Sequence, residues 1–163
     1  MNENELIQKF SGSTPDQCKA IFNLLFILTN RLQTVFDQQI PELTLRQFML
    51  LSTIRPLQKP LSLGECGKLL GCSRQNVKKL ALSLEQKGFV TIQSNPDRPR
   101  SLMILPTEKA DQFFEGEFAP YREQLNELFA SLKEEEIQTL FSLLVNLLSG
   151  VEVFEQKTKG KVE

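Results

Sequence analysis

Apolar residues recur at steps of three and four along most of this chain, the spacing that gathers them on one face of a helix. Cys18, Ile21, Phe22, Leu25, Leu28 and Leu32 form one such face, with Leu24, Phe26 and Ile27 spilling beyond it. Ile137, Leu140, Phe141, Leu144, Leu147, Leu148 and Val151 form another near the far end. Two shorter runs lie between: Leu63, Cys66, Gly67 and Leu70, then Val77, Leu80, Ala81 and Leu84. After Gly88 the period changes. FVTIQS and SLMIL are β-prone and are separated by NPDRPR, which is too polar to pack, so a β-hairpin with a charged tip is predicted.

Local signals set the ends of these elements. A Ser or Thr followed three residues later by Glu or Gln forms a capping box, in which each side chain satisfies a free N–H of the first turn. Thr14 with Gln17, Thr44 with Gln47, Ser62 with Glu65 and Ser131 with Glu134 fit that pattern, and Pro15 takes the favoured first-turn position. Pro41, Pro56, Gly71 and Gly88 mark the stops. From Thr107 the pattern is helical again, with a break at Pro120 and a last helix from about Lys133 to Phe154.

The segment LGECGKLLGCSRQNVKKLALSLEQ meets the physical requirements of a helix-turn-helix. Gly67 has no side chain to hold the second helix away, Gly71 suits a left-handed turn, and Ser73 can cap the second helix. On a helical wheel Gln75, Lys79 and Gln86 oppose Val77, Lys78 lies to one side, and Arg74 and Asn76 flank the first turn. Cations near a helix N-terminus oppose the macrodipole, which is explicable if that end enters a field of phosphates. Arg can fork onto guanine, Gln or Asn onto adenine, and Lys onto guanine or phosphate. Ser73, Arg74, Gln75, Asn76, Lys78 and Lys79 are therefore the candidate DNA contacts of a recognition helix over 73–87. Arg98 and Arg100, at the tip of a wing over 89–105, are candidates for the minor groove or backbone, with Asp97 available to brace Arg100.

The expected fold is thus mainly α with a small β-hairpin wing: a winged helix-turn-helix plus terminal dimerisation helices. Expected boundaries are a flexible tail over 1–13, a dimerisation helix over 14–40, the winged region over 41–106, C-terminal dimerisation helices over 107–155 and a flexible tail over 156–163. The two long apolar stripes are wider than a small core needs, so a homodimer is expected.

Charge sharpens the picture. The 163 residues carry a net charge of -1, but between Arg55 and Lys109 ten Lys or Arg face four Asp or Glu, so that segment is +6 and the remainder -7. Such asymmetry suits one surface built for a polyanion, here double-stranded DNA. Three cysteines without metal-ligand spacing and no histidine argue against a metal site and for a reducing cytoplasm. The longest dense apolar run, taken as Ile21 to Leu28, is too short for a bilayer, so no membrane partner is expected. No phosphate loop, nucleophile motif or cofactor signature is present, and Glu134, Glu135 and Glu136 sit where the helix dipole explains them, so no enzyme and no cofactor are expected. The competing class is a winged-helix module that binds protein without reading DNA sequence.

LTLRQFMLLSTI, the helix-turn-helix stretch ending LEQKGFV, and NPDRPRSLMILPTEKA together resemble a MarR-type winged helix-turn-helix transcriptional regulator, from about Thr14 to Val151. The resemblance implies a homodimer paired through its terminal helices, with a recognition helix and wing from each subunit on a pseudo-palindromic operator. It also implies a repressor released by a ligand or an oxidant. Pro99 and Pro106 depart from the pattern, Pro106 standing where the family usually has an aliphatic residue.

Two features bear on release. Some relatives sense peroxide through a cysteine near the start of the first helix, and Cys18 is the corresponding redox candidate; the single Tyr121 and the apolar stripe around Cys18 favour a packed thiol instead. Phe10, Phe22, Phe26, Phe36 and Phe48 could line a pocket for a small aromatic or other apolar effector, or could serve as core.

Overall fold

The computed structural model describes residues 5, 9, 12–57 and 59–159. Most of the tail expected over 1–13, Phe10 included, lies outside them, as do residues 160–163. The elements in chain order are α1 (Thr14–Gln39), α2 (Leu45–Ile54), a 3-10 turn (Arg55–Leu57), β1 (Leu61–Ser62), α3 (Leu63–Leu70), α4 (Arg74–Gln86), β2 (Val90–Asn95) and β3 (Arg98–Pro106). After these come α5 (Glu108–Gln112), a π-helical turn (Phe113–Glu117), α6 (Ala119–Glu127) and α7 (Glu134–Lys159). The chain divides into two compact units, Met1–Gln112 and Phe113–Glu163.

The core of the first unit is drawn from every helix and strand from α2 to α5, the 3-10 turn contributing nothing to it. Leu43, Leu50, Leu51, Ile54, Leu63, Cys66, Val77, Ala81, Leu84, Phe89, Val90, Ile104 and Ala110 are buried. Each large apolar side chain withdrawn from water in this way contributes roughly 1.5–3 kcal/mol. Leu63 and Cys66 of α3 and Val77, Ala81 and Leu84 of α4 face this core, Leu70 and Leu80 lie at its margin, and Leu69 and Leu82 are exposed.

The sheet has a strand that periodicity could not show. β1 pairs antiparallel with β3, Leu61 opposite Ile104, giving the order β1-β3-β2. The hairpin is longer than expected, because β3 begins at Arg98 and leaves Pro96 and Asp97 as the turn. Its register slips between Ser94, opposite Leu102, and Asn95, opposite Arg98, so residues 99–101 bulge from β3. Pro99 lies in that bulge, where a missing N–H breaks no ladder bond. Pro106 closes the strand opposite Val90.

Helix ends follow the expected stops more closely than the expected starts. The Thr44–Gln47 and Ser62–Glu65 boxes form in full. The first helix is capped instead by Ser13, whose hydroxyl accepts the Asp16 N–H, and Thr14 is its first helical residue. The last begins two residues past the expected box: Glu136, not Glu134, reaches back, its carboxylate accepting the Lys133 N–H at 2.8 Å. It then runs through Lys159, beyond the expected end at Phe154 and into the expected tail. In the second unit the break expected at Pro120 is present, with the proline in the first turn of α6 after the π-helical turn.

The long helices keep their apolar faces uncovered within one chain. In α1 only Ala20 is buried, while Phe22 is 62% and Phe26 60% exposed; in α7 Phe141 is 69% and Leu148 61% exposed. One expectation needs correction. By length and composition Glu134–Thr158 is apolar enough to cross a membrane, so Ile21–Leu28 is not the stretch that comes nearest to a span.

Candidate nucleic-acid interface

The helix-turn-helix is built by close approach. Lys68 and Gly67 carbonyls accept from the Gly71 N–H in the αL turn, φ 62°, and Gly67 O also accepts from the Cys72 N–H at 2.9 Å. A Cβ on Gly67 would stand 2.7 Å from Cys72 O, so glycine is required for α4 to start where it does. Ser73 then caps α4, its hydroxyl accepting the Asn76 N–H at 3.2 Å. With Val77, Ala81 and Leu84 buried, Arg74, Gln75, Asn76, Lys78 and Lys79 are left exposed on the other side.

Arg98 and Arg100 are exposed in the hairpin, Arg98 at the first position of β3 and Arg100 in the bulge. The expected brace between Asp97 and Arg100 does not form among the described residues. Asn95 takes its place: its Oδ1 accepts the Asp97 N–H at 2.9 Å, an Asx turn that closes the tip.

The ten cations of the basic segment fall into three groups. Three are engaged internally. Arg55 Nε meets Asp111 Oδ1 at 2.6 Å; Lys87 Nζ donates to Glu42 O at 2.8 Å and Gln47 Oε1 at 3.0 Å; Lys109 Nζ donates to Lys87 O at 2.8 Å and lies 4.7 Å over the Phe89 ring. Arg74, Lys78, Lys79, Arg98 and Arg100 have no side-chain hydrogen bond or ion pair among the described residues. Those five are free to meet an anion. Lys59 and Lys68 lie near Glu65, whose carboxyl the Ser62 hydroxyl and N–H hold below its ordinary value, with the two lysines adding to that effect.

Composition could not reveal the residues that hold α4 in place. Gln47, 6% exposed, donates from Nε2 to Ser83 Oγ at 2.9 Å while its Oε1 accepts from Thr44 N–H and from Lys87, tying α2 to α4. Glu85 Oε1 accepts the Ile92 N–H at 2.8 Å, tying α4 to β2. In the sequence Gln47 is marked only as the partner of Thr44 in a capping box, Glu85 and Lys87 only by their place in the LEQKGFV stretch, and Ser83 by nothing.

The regulatory candidates separate. Cys18 is exposed in the single chain and is not the packed thiol expected. Cys72 is half-buried in the turn, and Cys66 is fully buried, where desolvation, with a smaller effect from Glu65, pushes its thiol up to about 11. Phe22 and Phe26 pair edge to face at 5.1 Å on the open face of α1, and Phe36 and Phe48 pack between α1 and α2 at 4.9 Å. Four of the five phenylalanines named from the sequence thus form two ring pairs, and Phe10 lies outside the described residues.

No family model matches the chain. The transcriptional repressor MprA of Escherichia coli K12 is 30% identical over 131 residues, 80% of this chain and 73% of that protein. The HTH-type transcriptional regulator YcgE of Bacillus subtilis is 31% identical over 85 residues, 52% of this chain, and the matched stretch spans only 55% of that relative's length. Among solved structures, a mutant MarR from E. coli complexed with operator DNA has a TM-score of 0.71 at 21% identity, over 84% of this chain and 99% of that one. That likeness establishes the fold.

Proposed function

The chain belongs to the MarR family of transcriptional regulators, and from that premise we propose that it is a cytoplasmic homodimeric repressor that reads a pseudo-palindromic operator rather than an enzyme. α4 of each subunit enters a major groove with Arg74, Gln75 and Asn76 on base edges. Lys78 and Lys79 lie against phosphates, and Arg98 and Arg100 follow the neighbouring backbone or minor groove. Ser73 holds the first turn and has its hydroxyl proton left to donate. The observation that carries this reading is the cluster of exposed, unpartnered cations at the positive end of a helix whose opposite end has its cations engaged internally.

Two further parts of the proposal rest on other grounds. The uncovered stripes of α1 and α7 support pairing with a second copy, in preference to a bilayer for α7. The relative named a repressor supports repression. Release by a small apolar ligand, or by oxidation of the exposed Cys18, follows from the family resemblance.

The test is selection of duplex DNA from a random pool by the reduced, ligand-free dimer, followed by anisotropy on the winner at several salt concentrations. An inverted repeat with half-sites about one helical turn apart, and affinity falling steeply with salt, is the expected result. A folded dimer that enriches nothing would sink the proposal in favour of a protein-binding module.

A further inference from the structure

Three successive carbonyls join α4 to the hairpin, and one short segment after β3 takes all three. Lys109 Nζ donates to Lys87 O at 2.8 Å, Thr107 Oγ1 to Gly88 O at 2.7 Å, and the Thr107 N–H to Phe89 O at 3.0 Å. The Lys109 ammonium is also 4.7 Å above the ring of Phe89, which is buried. Between them sits Gly88 at φ 77°, with the Lys109 stem 3.7 Å from where a Cβ would be. A three-residue link with a left-handed centre could turn many ways by itself. With each carbonyl held from the same side, it has one orientation.

We propose that Thr107 and Lys109 are positioning residues that fix the angle between α4 and the hairpin, and so the spacing at which Arg74–Lys79 and Arg98–Arg100 meet a duplex. The inference rests on the DNA-reading role proposed for α4 and the wing. Neither residue has to touch DNA. The Lys109 charge stands at the C-terminal end of α4, where the helix carbonyls concentrate negative charge, and is engaged there. From the α4 side, Glu85 adds the bond to the Ile92 N–H at 2.8 Å, so the first strand of the hairpin is held at both its root and its third residue.

The experiment is a double-mutant cycle on the full-length dimer and its selected operator, read by anisotropy over a range of salt. Lys109→Met and Thr107→Val are each made in the native chain and together with Arg98→Ala/Arg100→Ala. Either joint variant alone should bind about tenfold more weakly, the order expected for one lost charge-assisted or buried hydrogen bond. Its salt dependence should be shallower by the amount that Arg98→Ala/Arg100→Ala produces. Added to Arg98→Ala/Arg100→Ala, the same change should cost little more, because a misplaced wing has nothing left to lose. Lys109→Arg and Thr107→Ser should restore binding.

Equal losses in both backgrounds would overturn the joint, since that is what general destabilisation or a direct phosphate contact by Lys109 predicts. Where Lys109→Met unfolds the chain, Thr107→Val carries the same comparison. If DNA is bound but Arg98→Ala/Arg100→Ala changes nothing, the wing's role falls and the joint with it. If no DNA is selected, the whole DNA-reading function falls.

Discussion

The two ends of α4 treat the same kind of side chain in opposite ways. At its C-terminus two lysines are drawn inward onto carbonyls: Lys87 onto Glu42 O and Lys109 onto Lys87 O. There a cation complements the negative pole of the helix and stabilises the fold. At the N-terminus Arg74, Lys78 and Lys79 stand exposed beside the positive pole, where they stabilise nothing in the chain itself. A basic residue in this segment is therefore to be judged by which pole of α4 it serves, since the count of charges mixes fold with function.

The largest effect should come from moving the N-terminal end bodily. Gly67→Ala places a methyl group 2.7 Å from a backbone oxygen that cannot yield cheaply, so a stability loss of roughly 3 kcal/mol is expected in urea unfolding, with operator binding lost in parallel. Arg74→Ala and Gln75→Ala should leave the unfolding midpoint unchanged and reduce discrimination against mismatched operators by roughly 1–3 kcal/mol each where the contact is bidentate. Binding that stays intact in both would remove α4 from the interface. Lys87→Met should do the reverse, losing about 1.5–2 kcal/mol of stability through two broken bonds while the salt dependence of DNA binding is preserved. A changed salt dependence would mean that Lys87 reaches phosphate and that the two poles are not distinct.

The smallest effect concerns the thiol beneath the turn. Cys66 is neutral in the fold and has its value raised from 9.0 to about 11 by burial. Its contribution to stability is therefore fully present below pH 9 and is lost as the pH rises toward 11. Alkylation followed by peptide mapping at pH 8 should label Cys18 first and Cys66 last. Early labelling of Cys66 would show that the turn opens in solution.

The architecture was legible where one residue type has one physical use. The αL glycines 71 and 88, the capping boxes at Thr44 and Ser62, and the switch of period after Gly88 all have that character. The exposed face of α4 was equally plain, because burying Val77 leaves Arg74, Gln75, Lys78 and Lys79 no other side. Starts were ambiguous where two residues could cap: Ser13 displaced Thr14, and Glu136 displaced Glu134. β1 has two residues and exists only through Ile104 and Met103 across the sheet, so no local pattern encodes it. The engagement of Lys87 and Lys109 depends on partners up to 45 residues away in sequence, which no charge count along the chain can see.

The open stripes on α1 and α7 have a genetic consequence. The faces proposed to pair lie on α1 and α7 and the residues proposed to read DNA on α4 and the hairpin, so a copy with a ruined α4 would keep the pairing faces. Expressed beside a sound copy, Arg74→Ala/Gln75→Ala chains should draw normal subunits into mixed dimers with one working head. In a merodiploid strain the broken allele is then expected to be dominant over the sound one, whereas alleles that also polarise Phe141 and Leu148 should be recessive.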